Sequence, residues 1–152
     1  MKESEVAQLR TMYVFTPPGG RDWNLSMEAM ADRLCERNRD EFIRIEDSTE
    51  DPAPGSGSRL HFGITLLDED MEGFGKEDPQ GIALRDSTAR LAAEFVFWLR
   101  LSVVPAHAKI EFNTEWGIEE DLPDATVPEG SVEELTETFL DHIVATGGLD
   151  DE

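Results

Sequence analysis

Apolar positions alternate in some stretches of this chain and recur every three or four residues in others, and the two periods divide it into seven predicted elements. RTMYVFT, at residues 10–16, is β-branched and aromatic and stops at Pro17-Pro18-Gly19-Gly20, which predicts a strand ended by a turn. Over about residues 25–38, Met27, Met30, Ala31, Leu34 and Cys35 form one apolar stripe at helical spacing. EFIRIE, at residues 41–46, reads as a short strand, and RLHFGITLL, at residues 59–67, alternates with Leu60, Phe62, Ile64 and Leu66 on one side.

A second helix is expected next. Asp78 can cap it and Pro79 can occupy its first turn, although Gly81 and a second capping pair, Asp86-Ser87, offer a later start. Its buried stripe is Leu84, Thr88, Leu91, Ala92, Phe95, Trp98 and Leu99, and it should end before Pro105. AKIEFN, at residues 108–113, is the fourth strand. Ser131 and Glu134 have capping-box spacing, in which each side chain takes the other residue's free amide. Val132, Leu135, Phe139 and Ile143 then make a stripe, and Gly147-Gly148 ends the last helix.

The order β-α-β-β-α-β-α implies an α+β protein. Its first six elements match the ferredoxin-like βαββαβ sandwich, a four-stranded antiparallel sheet with two helices on one face, plus a C-terminal helix. The expected organisation is a single domain over residues 1–148 with a flexible loop at about 47–58, which contains DPAPGSGS, and a disordered acidic tail at 149–152. If Met12, Val14, Ile43, Ile45, Leu60, Phe62, Ile64, Ile110 and Phe112 face the helices, alternation puts Tyr13, Phe15, Phe42, Arg44, His61 and Thr65 on the other side. That second face needs a cover. The favoured one is the C-terminal helix, with Phe139 and Leu135 on Tyr13 and Phe15; the other is a second copy of the chain, so the expected state is a monomer or a homodimer through this face.

Charge changes the picture more than composition does. The chain of 152 residues holds 34 acids and 13 bases, a net −21. Lys109 is the last base, and the 43 residues after it contain 14 acids and no Lys or Arg. The first 109 residues therefore carry 20 acids against 13 bases, net −7, and the rest carries −14. Phosphate-binding proteins displace counterions with Lys and Arg, so this balance excludes DNA, RNA and anionic lipid as expected partners. The run 91–105 is interrupted by Glu94 and Arg100, too short and too charged for a bilayer span, and residues 1–10 lack the apolar stretch of a secretory signal. With a single cysteine, a cytoplasmic location is the simplest expectation.

Motifs with chemistry are sparse. TPPGGRDWN has neither GxGxxG nor GK[ST] spacing, and Pro17 and Pro18 remove two amides, so it reads as a plain turn. His61, His107 and His142 form no HxH, HExxH or HxxxH pair, and the loop Glu119-Glu120-Asp121-Leu122-Pro123-Asp124 lacks the EF-hand ladder, so neither metal nor cofactor is expected. Cys35 belongs to a helical stripe, and Glu94 can pair with Arg90 at i, i+4, which removes the two residues closest to catalytic candidates.

The reading that follows is a small non-catalytic protein-binding module that docks a basic partner, as inhibitors and immunity proteins of nucleases do. Its contact residues are Glu115, Trp116, Glu119, Glu120, Asp121 and Asp124, with Trp23 as a second aromatic anchor. Two alternatives stand beside it. One is a small enzyme or ligand-binding domain using Tyr13, Arg44 and His61 on the sheet face; the other is acidity that serves only solubility in a salty or crowded cytoplasm.

Overall fold

A computed structural model describes residues 9–17, 27–37, 42–46, 59–77, 80–103, 109–119, 121 and 124–145. The expected flexible loop at 47–58 and acidic tail at 149–152, together with Trp23 and Glu120, lie outside the described residues, as do the side chains of Cys35, Trp116 and strand 42–46.

The chain runs β1 (Thr11–Thr16), α1 (Met27–Arg37), β2 (Phe42–Glu46), β3 (Arg59–Leu66), β4 (Glu69–Glu77), β5 (Gln80–Ser87), α2 (Ala89–Ser102), β6 (Glu111–Thr114), α3 (Glu115–Glu119), β7 (Ala125–Thr126) and α4 (Val132–Ala145). The strands form one antiparallel sheet in the order β2-β3-β4-β5-β1-β6-β7, the last strand being only two residues long. The α+β class is as expected. The four-stranded ferredoxin-like sandwich is not: β4 and β5 add two strands between β3 and β1, and β7 extends the other edge.

Two local features account for the missing strands. In β4, Gly73 and Gly75 occupy core-facing positions, so EDMEGFGKE shows no apolar alternation beyond Met71. Gly73 is required there, because an added Cβ would lie 2.3 Å from Phe62 Cζ and 2.7 Å from the Ala83 carbonyl oxygen. In β5, Ile82 and Leu84 face the core with a period of two, but Leu84 also falls at helical spacing from Thr88 and Leu91. The helix in fact starts at Ala89. Thr88 is extended (φ −82°, ψ 168°) and its hydroxyl accepts the Leu91 amide at 3.2 Å, so the cap is Thr88 and not Asp78. The capping box of α4 forms as its spacing implies: Ser131 Oγ accepts from the Glu134 amide at 3.2 Å and Glu134 Oε1 accepts from the Ser131 amide at 2.9 Å.

The phase of β1 is opposite to the expectation. Thr11, Tyr13 and Phe15 are buried and Met12 and Val14 are half-buried, so the aromatic pair faces the helices together with Leu60, Phe62 and Ile64. Phe95 of α2 packs 6.0 Å from Phe15 and 6.1 Å from Phe62, while Phe139 of α4 packs 5.4 Å from Tyr13 and 4.7 Å from Phe112. The expected contact of Phe139 with Tyr13 and Phe15 is present, but on the face that α2 already covers. Met30, Ala31 and Leu34 of α1 enter the same core. All three long helices therefore share one side, and the opposite side has none of them over it.

Candidate functional site

The described residues after Lys109 lie at and over one edge of the sheet. β6 and β7 are the last two strands of the sheet, α3 lies between them in sequence, and α4 closes over β6 through Phe139 on Phe112. The described part of the sequence without a base thus gathers into a margin around β6 and β7 and the face above β1 and β6.

Short polar ties fix that margin. Thr114, the last residue of β6, uses its hydroxyl to accept the Gly117 amide at 3.2 Å, which starts the single turn of α3. The same oxygen lies 2.9 Å from His142 Nε2 on α4. Burial pushes the His142 pKa below the ordinary histidine value. Gly117 has no room for a side chain, since a Cβ would come within 2.0 Å of Asn113 Oδ1 and 3.1 Å of His142 Nε2. Asn113 accepts the Thr114 amide at 2.9 Å and donates its own amide to Asp124 Oδ1 at 3.1 Å. Thr16 donates to Asp124 Oδ2 at 3.5 Å. After α3 the chain turns at Asp121, whose φ of 58° is left-handed and whose N–H donates to the Ile118 carbonyl at 3.0 Å.

Of the predicted contact residues, Glu115, Glu119 and Asp121 are exposed around this turn. Asp124 is exposed too, but both its oxygens are engaged in holding the loop to β1 and β6. On α4, Glu133, Glu137 and Asp141 recur at i, i+4 and i+8 and are exposed. Arg100 of α2 reaches toward this margin, yet it donates to the carbonyls of Pro128 at 2.8 Å and Val127 at 3.0 Å. Among the described residues, ion pairs engage Glu36, Glu69, Glu72, Asp86 and Glu94, and none closes on a carboxylate of residues 111–145, although Arg100 and Glu129 attract each other at longer range.

The alternative sheet-face set does not assemble. Tyr13 is fully buried on the helix side, and burial raises its pKa, whereas His61 lies on the opposite face. The register sets Arg44 opposite His61, but the Arg44 side chain lies outside the described residues. His61 keeps other company: Nε2 meets Glu72 Oε2 at 2.5 Å, the other Glu72 oxygen accepts from Arg85 at 3.0 Å, and the ring stacks on Phe74 at 4.9 Å. Hydrogen bonds from His61 and Arg85 hold the Glu72 carboxyl below its ordinary pKa. Glu72, Phe74 and Arg85 were invisible to sequence reasoning because β4 and β5 were not recognised as strands. Among the described residues, no three His, Cys, Asp or Glu side chains are grouped as metal ligands, and no helix is long and apolar enough to cross a membrane.

No protein-family model, curated protein or solved structure matches this chain.

Proposed function

We propose that this protein is a non-catalytic binding module, in the manner of an inhibitor or immunity protein, that docks a basic protein through the margin built by residues 111–145 in a cytoplasmic setting. The observation that carries the reading is the set of exposed carboxylates without an ion-pair partner among the described residues: Glu115, Glu119 and Asp121 around the turn after β6, near the end of the sheet, and Glu133, Glu137 and Asp141 on α4, which packs over β1 and β6. Uncompensated like charges repel one another and destabilise the fold, and a cationic partner removes that cost while the field speeds encounter.

The test is capture from a native lysate at ~50 mM salt and again at ~500 mM, where exposed charges are screened. Wild type is compared with Glu115→Lys/Glu119→Lys/Asp121→Lys and with an equally charged control, Asp32→Lys/Arg33→Glu/Glu36→Lys plus Asp86→Lys/Asp70→Lys, which reverses exposed charge elsewhere. A specific docking margin retains basic proteins at low salt, loses them with the first variant and keeps them with the second. Equal loss in both variants identifies the acidity as a general solubility feature and defeats the proposal.

A further inference from the structure

On α2, Ala93, Phe97 and Leu101 follow one another at i, i+4 and i+8, and on α4 Thr136, Leu140 and Val144 do the same. Both rows climb out of the core as their helix runs, because every fourth residue turns by about 40° in a 3.6-residue helix. Ala93 is buried, Phe97 half-buried and Leu101 69% exposed; Thr136 and Leu140 are half-buried and Val144 is 47% exposed. The two helices pack on each other. Arg100, near the end of α2, holds the Val127 and Pro128 carbonyls just before α4 begins, so the helices run antiparallel. Leu101 therefore stands toward one end of the seam between them and Val144 toward the other, a span of roughly 18 Å or three helical turns.

Single exposed aliphatic side chains are ordinary on a protein surface; what marks this row is its company. On α4 the positions 133, 136, 137, 140, 141 and 144 stand at i, i+3, i+4, i+7, i+8 and i+11, one stripe in which Glu133, Glu137 and Asp141 run directly beside the apolar row. Thr136 donates its hydroxyl to the Val132 carbonyl at 2.7 Å and brings no unmet polar group to the seam. The three exposed carboxylates have no ion-pair partner among the described residues, whereas on α2 Arg90 and Glu94 pair at 3.2 Å and cancel. One rim of the seam is acidic and the other is neutral.

We propose that the α2–α4 seam seats a basic amphipathic helix of a partner protein, about three turns long, whose apolar stripe lies along Phe97, Leu101, Leu140 and Val144 and whose Lys or Arg residues, repeating at i and i+4 on one flank, face the acidic rail of α4. A helix laid in a groove is read by an apolar stripe of this spacing, and the one-sided charge sets its orientation. A net charge of −21 opposes a second copy of this chain or an anionic membrane in the same place. The proposal deepens the docking reading by naming what the partner brings; the partner's charge rests on that reading, and the apolar rows do not.

The experiment titrates the isotope-labelled protein by NMR with a synthetic helix of ~14 residues, leucines on one stripe and lysines on one flank, and with a scrambled peptide of identical composition. The first peptide should give saturable shifts centred on the amides of Phe97, Leu101, Leu140 and Val144. Scrambling should weaken binding about tenfold or more, and so should Leu101→Ser with Val144→Ser, two exposed positions whose replacement leaves the core intact. Glu133→Gln/Glu137→Gln/Asp141→Asn should lower affinity and flatten its dependence on salt between ~50 mM and ~500 mM. No saturable shift up to ~1 mM peptide, equal binding of the scrambled peptide, or binding that ignores the serine pair overturns the seam. Shifts centred on α3 also overturn it while leaving the margin around β6 and β7 in place. Binding in the seam together with equal loss in both capture variants does the reverse, so the two readings fail separately.

Discussion

Tyr13 carries a hydroxyl into the core beside Phe139, and among the described residues nothing hydrogen-bonds to it. An unsatisfied buried polar group costs about 1–3 kcal/mol, while the ring itself supplies large apolar burial. Tyr13→Phe keeps the ring and removes the orphan group. We expect it to raise unfolding free energy by about 1 kcal/mol in urea denaturation, with an unchanged m-value; a loss of stability would mean the hydroxyl is satisfied. The same residue shows why alternation alone misplaced a face. Met12 and Val14 are as apolar as Tyr13 and Phe15, so the pattern of β1 defines two faces without ranking them. The aromatic pair goes inward because it fills the space between Phe95, Phe112 and Phe139. That inversion also dissolved the supposed Tyr13 and His61 site, since the two residues end on opposite sides of the sheet.

Among the elements, local chemistry was legible and pairing was not. The Ser131–Glu134 box could be read because both bonds close within four residues. The β3–β4 hairpin could not, because its loop is Leu67-Asp68, without the Asn or Gly that usually marks one. Both loop residues have left-handed backbones, with φ of 51° and 65°, and Leu67 is exposed. An L-residue held there costs roughly 1–2 kcal/mol, and a turn with positive φ at both positions suits Asn-Gly. Leu67→Asn with Asp68→Gly should therefore stabilise the fold by about 1–2 kcal/mol and raise the melting midpoint by several degrees. A lower midpoint would show that Leu67 contributes a contact worth more than the turn strain. Without that hairpin, Glu72 and Arg85 have no visible relation to His61, which is why the polar trio on the open face was missed.

At the scale of the molecule, the acid-rich third was evident from composition, but the gathering of its described residues around β6 and β7 follows only from the strand order, which puts those strands last. The exposed ladder Glu133, Glu137 and Asp141 concentrates the repulsion, because like charges four residues apart on a helix each cost about 0.2–0.5 kcal/mol. Salt should relieve it. Screening tightens as the Debye length falls from ~30 Å at 0.01 M to ~10 Å at 0.1 M, so the melting midpoint should rise between ~10 mM and ~500 mM salt. Glu137→Lys converts the ladder into two favourable i, i+4 pairs with Glu133 and Asp141 and removes two negative charges' worth of net repulsion. This variant should melt higher than wild type at low salt and show a shallower rise, with the two curves converging at high salt. If wild type is flat, the carboxylates are compensated locally, and the margin loses the uncompensated charge on which docking depends. If wild type rises and Glu137→Lys rises equally steeply, the repulsion is spread over the whole surface, and the solubility reading accounts for the acidity better than a docking margin does.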